Sequence, residues 1–261
     1  MKVIADLQLH SKYSRAVSKN MVIPVMAEWG RKKGIDLLAT GDWTHSLWMV
    51  ELQSQLQEIS PGIFVYGTEK TKFLLSTEIS SIYTQGGRVR RVHTLVFAPN
   101  FTVARKINDE LLGRGCNLSS DGRPIVGLSC KQIADIVLSI SEKCLVIPAH
   151  CWTPWFSLYG SKGGFDSIEE CFGEFSNQIY AVESGLSSDP LMNWRIKELE
   201  RRAIVSFSDA HSPMKLGREA TVFQGDKNFD YNDVYGAIAE RYLGKNEGKL
   251  KIDYTIEFYP E

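Results

Sequence analysis

Five histidines mark out the chemistry this chain could do: His10, His45, His93, His150 and His211 each sit in or just after a short apolar run, and each lies near an acidic or polar group that can bind a metal. The first is in Asp6-Leu7-Gln8-Leu9-His10-Ser11. Strand alternation places Gln8 and His10 on one face and Leu7 and Leu9 on the other, so two ligand-capable groups look at one point. Asp42 with His45 follows a second run, Glu78 and His93 lie on a pair of strands, and Asp209 with His211 follows a late run. Three carboxylates and five imidazoles suffice for two or three divalent ions. Imidazole nitrogen and carboxylate oxygen suit zinc, manganese or iron, with magnesium a further candidate, and Glu78 could bridge two of them. Gln8 can contribute a carbonyl oxygen. Closely spaced ions neutralise charge on a phosphate and acidify water, which makes phosphoester hydrolysis the natural reaction.

Other chemistries lack their parts. There is no phosphate-cradling Gly-rich loop and no nucleophile elbow, and Ser208 beside Asp209 fits a supporting role better than a Ser-His-Asp triad. The net charge of −1 excludes a globally basic nucleic-acid binder, so any nucleic-acid binding must come from local groups. Lys12, Arg15 and Lys19 after the first strand, Arg31 to Lys33, and Arg88, Arg90 and Arg91 are such groups, with solvated surface charge the plainer reading. Tyr13, Trp43, Trp48, Trp152 and Trp155 fall on expected site loops, with core packing the plainer reading of the tryptophans.

The elements that position these residues alternate between strand and helix. Helices are expected from Pro24 to Gly34, Leu47 to Ile59, Thr102 to Gly113, Ser129 to Ile140, Ser167 to Phe175, Asp189 to about Arg202 and Asp230 to Leu243. Strands are expected at Ile35–Thr40, Phe64–Tyr66, Lys72–Ile79, Arg91–Ala98, Leu145–Ala149, Ile179–Val182, Ile204–Phe207 and Leu250–Phe258, with Gln85-Gly86-Gly87 turning a hairpin. Apolar strands that keep ending in ligand-type residues are a property of parallel α/β sheets and barrels, whose sites form at the carboxyl ends of the strands. The 261 residues read as one domain, without a repeat, a linker, a membrane-spanning run or a secretory signal. Five cysteines without zinc-finger spacing suit a reducing, cytoplasmic setting. The final alternation stops at Glu261, which suggests a longer natural chain.

Taken together these residues resemble the polymerase and histidinol phosphatase (PHP) superfamily, whose pattern is a His-x-His start, an Asp-His step, a Glu, two separated histidines and a final Asp-x-His. Gln8 and His10, Asp42, Glu78, His93, His150, Asp209 and His211 match it across nearly the whole chain. Two positions depart: Gln8 replaces the first His, and Trp43 follows Asp42 where a His is usual, with His45 two places on as its substitute. Asp-Leu-Gln-Leu-His-Ser-Lys-Tyr-Ser-Arg-Ala-Val-Ser, followed by Thr-Gly-Asp-Trp-Thr-His, is similar to the endonuclease Q branch. The resemblance implies a distorted (β/α)7 barrel over residues 1–261, without the cysteine-rich zinc module and helical segment that follow the barrel in that family.

It also implies a site. Gln8, His10, Asp42, His45, Glu78, His93, His150, Asp209 and His211 would hold the ions. Glu78 would bridge two of them, His10 and Asp209 would complete one, His93 and His150 a second, and Asp42 with His211 a third. Glu78, Asp209 and His211 would be the catalytic groups, and Lys12, Tyr13, Arg15, Trp43 and Trp152 would meet the substrate. That substrate would be DNA carrying a deaminated base (uracil, hypoxanthine or xanthine) or an abasic site, cut on the 5′ side of the lesion in DNA repair. Two other readings stand beside it: a phosphatase of a small phosphomonoester or nucleotide, and a barrel without chemistry that binds DNA through metal. Glu183 ends a strand on the expected rim, as an orienter of a ligand or as a helix cap.

Overall fold

Seven strands form the wall on which the histidines are mounted. The computed structural model describes residues 1–258; Glu261, where the sequence pattern stops, lies outside the described residues. In chain order the elements are β1 (Lys2–Asp6), α1 (Ile23–Lys33), β2 (Leu37–Ala39), α2 (Ser46–Gln55), β3 (Leu56–Ser60), β4 (Ile63–Tyr66), β5 (Lys72–Gln85), β6 (Arg88–Ala98), α3 (Phe101–Gly113), β7 (Ile125–Val126), α4 (Cys130–Ile140), β8 (Leu145–Pro148), α5 (Ile168–Phe172), β9 (Ala181–Glu183), α6 (Pro190–Asn193), β10 (Ala203–Val205), β11 (Ala220–Gly225), α7 (Tyr231–Leu243) and β12 (Leu250–Ile256).

β1, β2 and β5 pair in parallel, β5 and β6 form a long antiparallel hairpin, and β6 pairs antiparallel with β8. Cys151 N–H donates to Glu183 O (2.9 Å) to join the end of β8 to β9, and β9 pairs in parallel with β10. A parallel bridge between Leu9 and Ala210 closes the circuit back to β1. The result is a distorted α/β barrel in which β6 alone runs against the other six. Its strands are buried on both sides, Val3, Leu37, Leu38, Leu74, Val96, Ile147, Val182 and Val205 among them, and therefore read as unbroken apolar runs. β11 and β12 extend the sheet beyond β1, and β4 and β3 extend it beyond β5.

Local sequence sets the helix limits. α1 starts with a proline in its first turn and stops at Gly34, whose φ of 72° is left-handed. α4 and α7 open on capping boxes, Ser129 with Gln132 and Asp230 with Asp233. No helix among the described residues is long and apolar enough to cross a membrane.

Several expectations differ from the structure. The helix expected to Ile59 ends at Gln55, because Leu56–Ser60 pairs with β4 as an edge strand instead. The helix expected from Asp189 to about Arg202 stops at Asn193, whose buried side chain turns inward to Ser188 Oγ (3.0 Å) and Asp189 O (2.8 Å); a 3-10 turn at Lys197–Leu199 follows. β11, antiparallel to β1, was not among the expected strands.

Candidate metal centre

β1, β2, β8 and β10 point their carboxyl ends at one region, and the residues just beyond those ends carry Gln8 and His10, Asp42, His150 and Asp209. Glu78 and His93 arrive differently, from the middle of β5 and of β6, so the site is not built from strand ends alone. The hairpin register pairs Glu78 with Leu95 and Ser80 with His93, which sets Glu78 and His93 two positions apart across the ladder and within reach of one another.

The ligand-type atoms gather into two groups, His10 with Asp209 and His211, and Glu78 with His93 and His150. Glu78 joins them. Its Oε2 lies 2.9 Å from His10 Nε2 and receives Gln8 Nε2 at 3.3 Å; its Oε1 contacts His93 Nδ1 and lies 3.4 Å from His150 Nε2. Asp209 Oδ1 is 3.2 Å from His10 Nε2. His93 Nδ1 and His150 Nε2 face each other at 3.3 Å with the same carboxylate oxygen between them. His10 Nε2, Gln8 Oε1, Glu78 Oε1 and Asp209 Oδ1 are buried yet have no well-formed hydrogen bond among the described residues. Buried polar atoms are normally satisfied, so this convergence of imidazole nitrogens and carboxylate oxygens fits divalent cations.

The charges agree with that assignment. Burial opposes ionisation of Glu78, but His93, Arg123, His10 and His150 together hold its carboxyl well below the usual range. Burial holds the His93 imidazole below its ordinary value, against the opposing pull of Glu78. Around His10, burial is outweighed by Asp42, Asp209 and Glu78, which raise it well above the ordinary imidazole range. Three carboxylates about one ring call for positive charge.

Two expected ligands lie elsewhere. Asp42 stands behind His10: its Oδ1 meets His10 Nδ1 at 3.1 Å, and its Oδ2 accepts Ser11 N–H (2.6 Å) and Ser14 Oγ–H (2.8 Å), so both oxygens are engaged by protein groups and neither joins His211. It orients the imidazole whose other nitrogen faces Glu78. His45 stacks on Tyr13 (ring centroids 4.3 Å apart) and belongs to neither group. Glu183 is fully buried, and its Oε2 accepts the backbone N–H of His150 at 2.6 Å. Burial pushes its carboxyl well above the usual range.

The expected substrate contacts divide. Trp43 is completely buried core, with its carbonyl accepting from Asn108 Nδ2 (3.2 Å), and cannot reach a base. Trp152 stacks on Tyr159 and donates to Asn193 Oδ1 (2.8 Å), which ties it to the end of α6. Tyr13 and Lys12 share Glu51, at 2.6 and 2.8 Å, beside His45. Arg15 is exposed. Of the other basic groups, Arg90 donates to Gly164 O and lies over Phe165, Arg31 pairs with Glu69, and Lys33 donates to Leu216 O, so each has a structural partner. Sequence reasoning missed Arg123, whose guanidinium lies 3.7 Å from Glu78 Oε2; an arginine in a polar loop gives no sign that the loop folds back over the site.

No protein-family model matches the chain. It is 31% identical to an uncharacterised protein, YqxK, of Bacillus subtilis (strain 168), over 98% of this chain and 66% of that protein. Among solved structures, the lesion-specific endonuclease PfuEndoQ of Pyrococcus furiosus superposes with a TM-score of 0.84 at 33% identity, over 98% of this chain and 58% of that one. The chain shares the endonuclease Q fold. A second endonuclease Q structure, in complex with a 27-mer duplex substrate with an abasic lesion at the active site, gives a TM-score of 0.83 over 97% of this chain. The resemblance read in the PHP-like ligand pattern thus extends through the fold, while the chain spans a little under two thirds of these proteins' own length.

Proposed function

We propose that this chain is the hydrolytic part of a metal-dependent DNA endonuclease that cuts the phosphodiester on the 5′ side of a deaminated base or an abasic site, in DNA repair. The observation that carries the reading is Glu78, whose two oxygens face two separate ligand groups inside a fold 33% identical to endonuclease Q. His10, Asp209 and His211 would hold one ion, His93 and His150 a second, and Glu78 both. Imidazole with carboxylate favours zinc, manganese or iron over magnesium. Ions bound there supply charge stabilisation to the phosphate and an acidified water.

The chain's own residues do the rest. Asp42 holds His10 Nδ1 so that Nε2 faces Glu78, Glu183 fixes the His150 backbone, and Tyr13, Lys12 and Arg15 would contact the DNA backbone. A lesion weakens stacking and pairing, so bringing the damaged nucleotide to the site costs less than for an intact one. Five free cysteines fit a cytoplasmic enzyme.

The test is cleavage of labelled duplexes carrying one uracil, hypoxanthine or abasic site, with undamaged duplex and a generic phosphomonoester alongside, in manganese, zinc or magnesium. A cut immediately 5′ of the lesion that Asp209→Asn abolishes is the expected result. Turnover of the phosphomonoester alone would replace this reading with a small-molecule phosphatase; metal and DNA binding with no cut of any substrate would replace it with a binding module.

A further inference from the structure

The segment Asp121-Gly122-Arg123 is pinned over the metal centre from several sides. Gly122 N–H donates to Tyr13 O (3.1 Å), Gly122 O accepts Thr44 Oγ–H (3.2 Å), and Asp121 Oδ1 accepts the backbone N–H groups of Arg15 (3.2 Å) and Arg123 (3.1 Å). A Cβ at position 122 would strike Asp42 Oδ2 and Ser14 Oγ, so only glycine lets the segment lie this close. The segment therefore packs on the side chain that orients His10, and it delivers Arg123 to the same side of the cluster as Glu78 Oε2.

The guanidinium acts on Glu78 through charge but spends none of its hydrogen bonds there. It pairs with Glu78 at 3.7 Å, beyond the reach of a charge-assisted hydrogen bond, and makes no side-chain hydrogen bond among the described residues although its side chain is only 24% exposed. Asp209, Asp121 and Asp42 lie close enough to act on it electrostatically. A forked donor set held at the rim of a metal cluster, with its hydrogen bonds unspent, matches a phosphate in shape and charge.

We propose that Arg123 binds a non-bridging oxygen of the phosphate seated on the Glu78 cluster, and so is a substrate-contacting residue of the site. This rests on the phosphoester reading above but not on DNA being the substrate. The lone Glu78 contact serves in the unliganded state, and phosphate takes the donors when it binds. Arginine rather than lysine suits the position, because the contact asks for two parallel donors from a fixed direction.

The experiment compares wild type, Arg123→Gln and Arg123→Lys, each loaded with manganese, by metal content per chain, calorimetric affinity for inorganic phosphate at fixed ionic strength, and kcat and KM on the abasic duplex. Unchanged metal content with at least tenfold weaker phosphate binding in Arg123→Gln, partly recovered in Arg123→Lys, is the expected pattern, with kcat falling on the order of a hundredfold as for loss of a donor to transition-state charge. Phosphate binding within twofold of wild type, or no phosphate binding by wild type itself, would overturn the proposal. Loss of metal from Arg123→Gln would overturn it too, since it would make Arg123 a structural counter-charge for Glu78. If wild type binds phosphate but leaves the duplex intact, the endonuclease reading fails while the phosphate arm still decides Arg123.

Discussion

Asp42→Asn separates an orienting carboxylate from a metal ligand. The side chain keeps its size, but its three contacts cannot all be kept. Oδ2 accepts two hydrogen bonds, from Ser11 N–H and Ser14 Oγ–H, and Oδ1 faces His10 Nδ1. If the new amide oxygen takes the Oδ2 position, the amide NH2 faces His10 Nδ1, which must then accept; the proton moves to Nε2 and blocks the nitrogen aimed at Glu78 and Asp209. If the amide turns over, NH2 meets the Ser11 N–H and a buried donor loses its acceptor. The first orientation blocks His10 Nε2, and the second loosens the side chain that positions His10, so its ligation is weakened without the residue being removed. Loss of such a supporting contact typically lowers metal affinity or activity about 10- to 100-fold, or about 1.4 to 2.8 kcal/mol. Competition titration with a coloured chelator should show full stoichiometry at saturating metal but affinity reduced by that factor, with kcat/KM on the abasic duplex falling in parallel. Affinity within twofold of wild type would refute the argument. Loss of one bound ion at saturation would show Asp42 to be a ligand after all.

Glu219 and Glu257 crowd one hydroxyl, Ser206 Oγ, at 2.8 and 3.2 Å, and burial, with Glu257 beside it, pushes Glu219 from an ordinary 4.5 up to about 7. A carboxyl whose folded value is raised stabilises the fold fully below pH 4.5 and loses that contribution as pH rises through 7. Wild type minus Glu219→Gln in urea unfolding should therefore shift by about 1 to 3 kcal/mol between pH 5 and pH 8, with wild type the one that weakens; a pH-independent difference would refute it. Trp43→Ala should lower stability by about 3 to 5 kcal/mol through cavity formation, while Trp43→Phe, folded but weakened, should bind lesion duplex as wild type does in fluorescence anisotropy. Weaker DNA binding at unchanged stability would return Trp43 to the substrate surface.

Most of this cluster of imidazoles and carboxylates was legible because its parts obey local rules. Alternation after β1 set Gln8 and His10 on one side, and both now meet Glu78 Oε2. The Gly86-Gly87 turn fixed the hairpin register that brings Glu78 to His93. Apolar runs ending in polar groups marked β8 and β10 as carriers of His150 and Asp209. What was not legible depends on which side of a ring a group approaches. Asp42 and Asp209 are both aspartates just past a strand end, and only the fold shows that one meets Nδ1 of His10 and the other Nε2. Trp43 is two residues from His45 and is completely buried in the core. Arg123 is brought in by backbone contacts made with Tyr13, Arg15 and Thr44, more than seventy residues away, which no local pattern encodes.

The backbone itself explains why these positions needed a barrel to hold them. Among the described non-glycine residues, positive φ occurs at Ala16, Asp42, His150, Phe156 and Asp209, and three of these five are the aspartates and the histidine just discussed. Such conformations cost about 1 to 3 kcal/mol each and persist only where surrounding contacts enforce them. At each of the three the enforcing contacts are visible. Asp42 O accepts His45 N–H at 2.9 Å; His150 N–H is held by the buried Glu183; Asp209 follows Ser208, whose N–H and Oγ–H both reach the buried Asp6, and Arg218 Nε donates to Ser208 O. A strand that simply ended in a turn would carry its side chain onward along the strand direction. The left-handed residue instead bends the chain at the point where it leaves the sheet and turns the carboxylate or imidazole back over the barrel mouth. Asp6, Glu183 and Arg218 thus do their work one residue or one hydrogen bond away from the cluster, by holding the bend that aims the groups which form it.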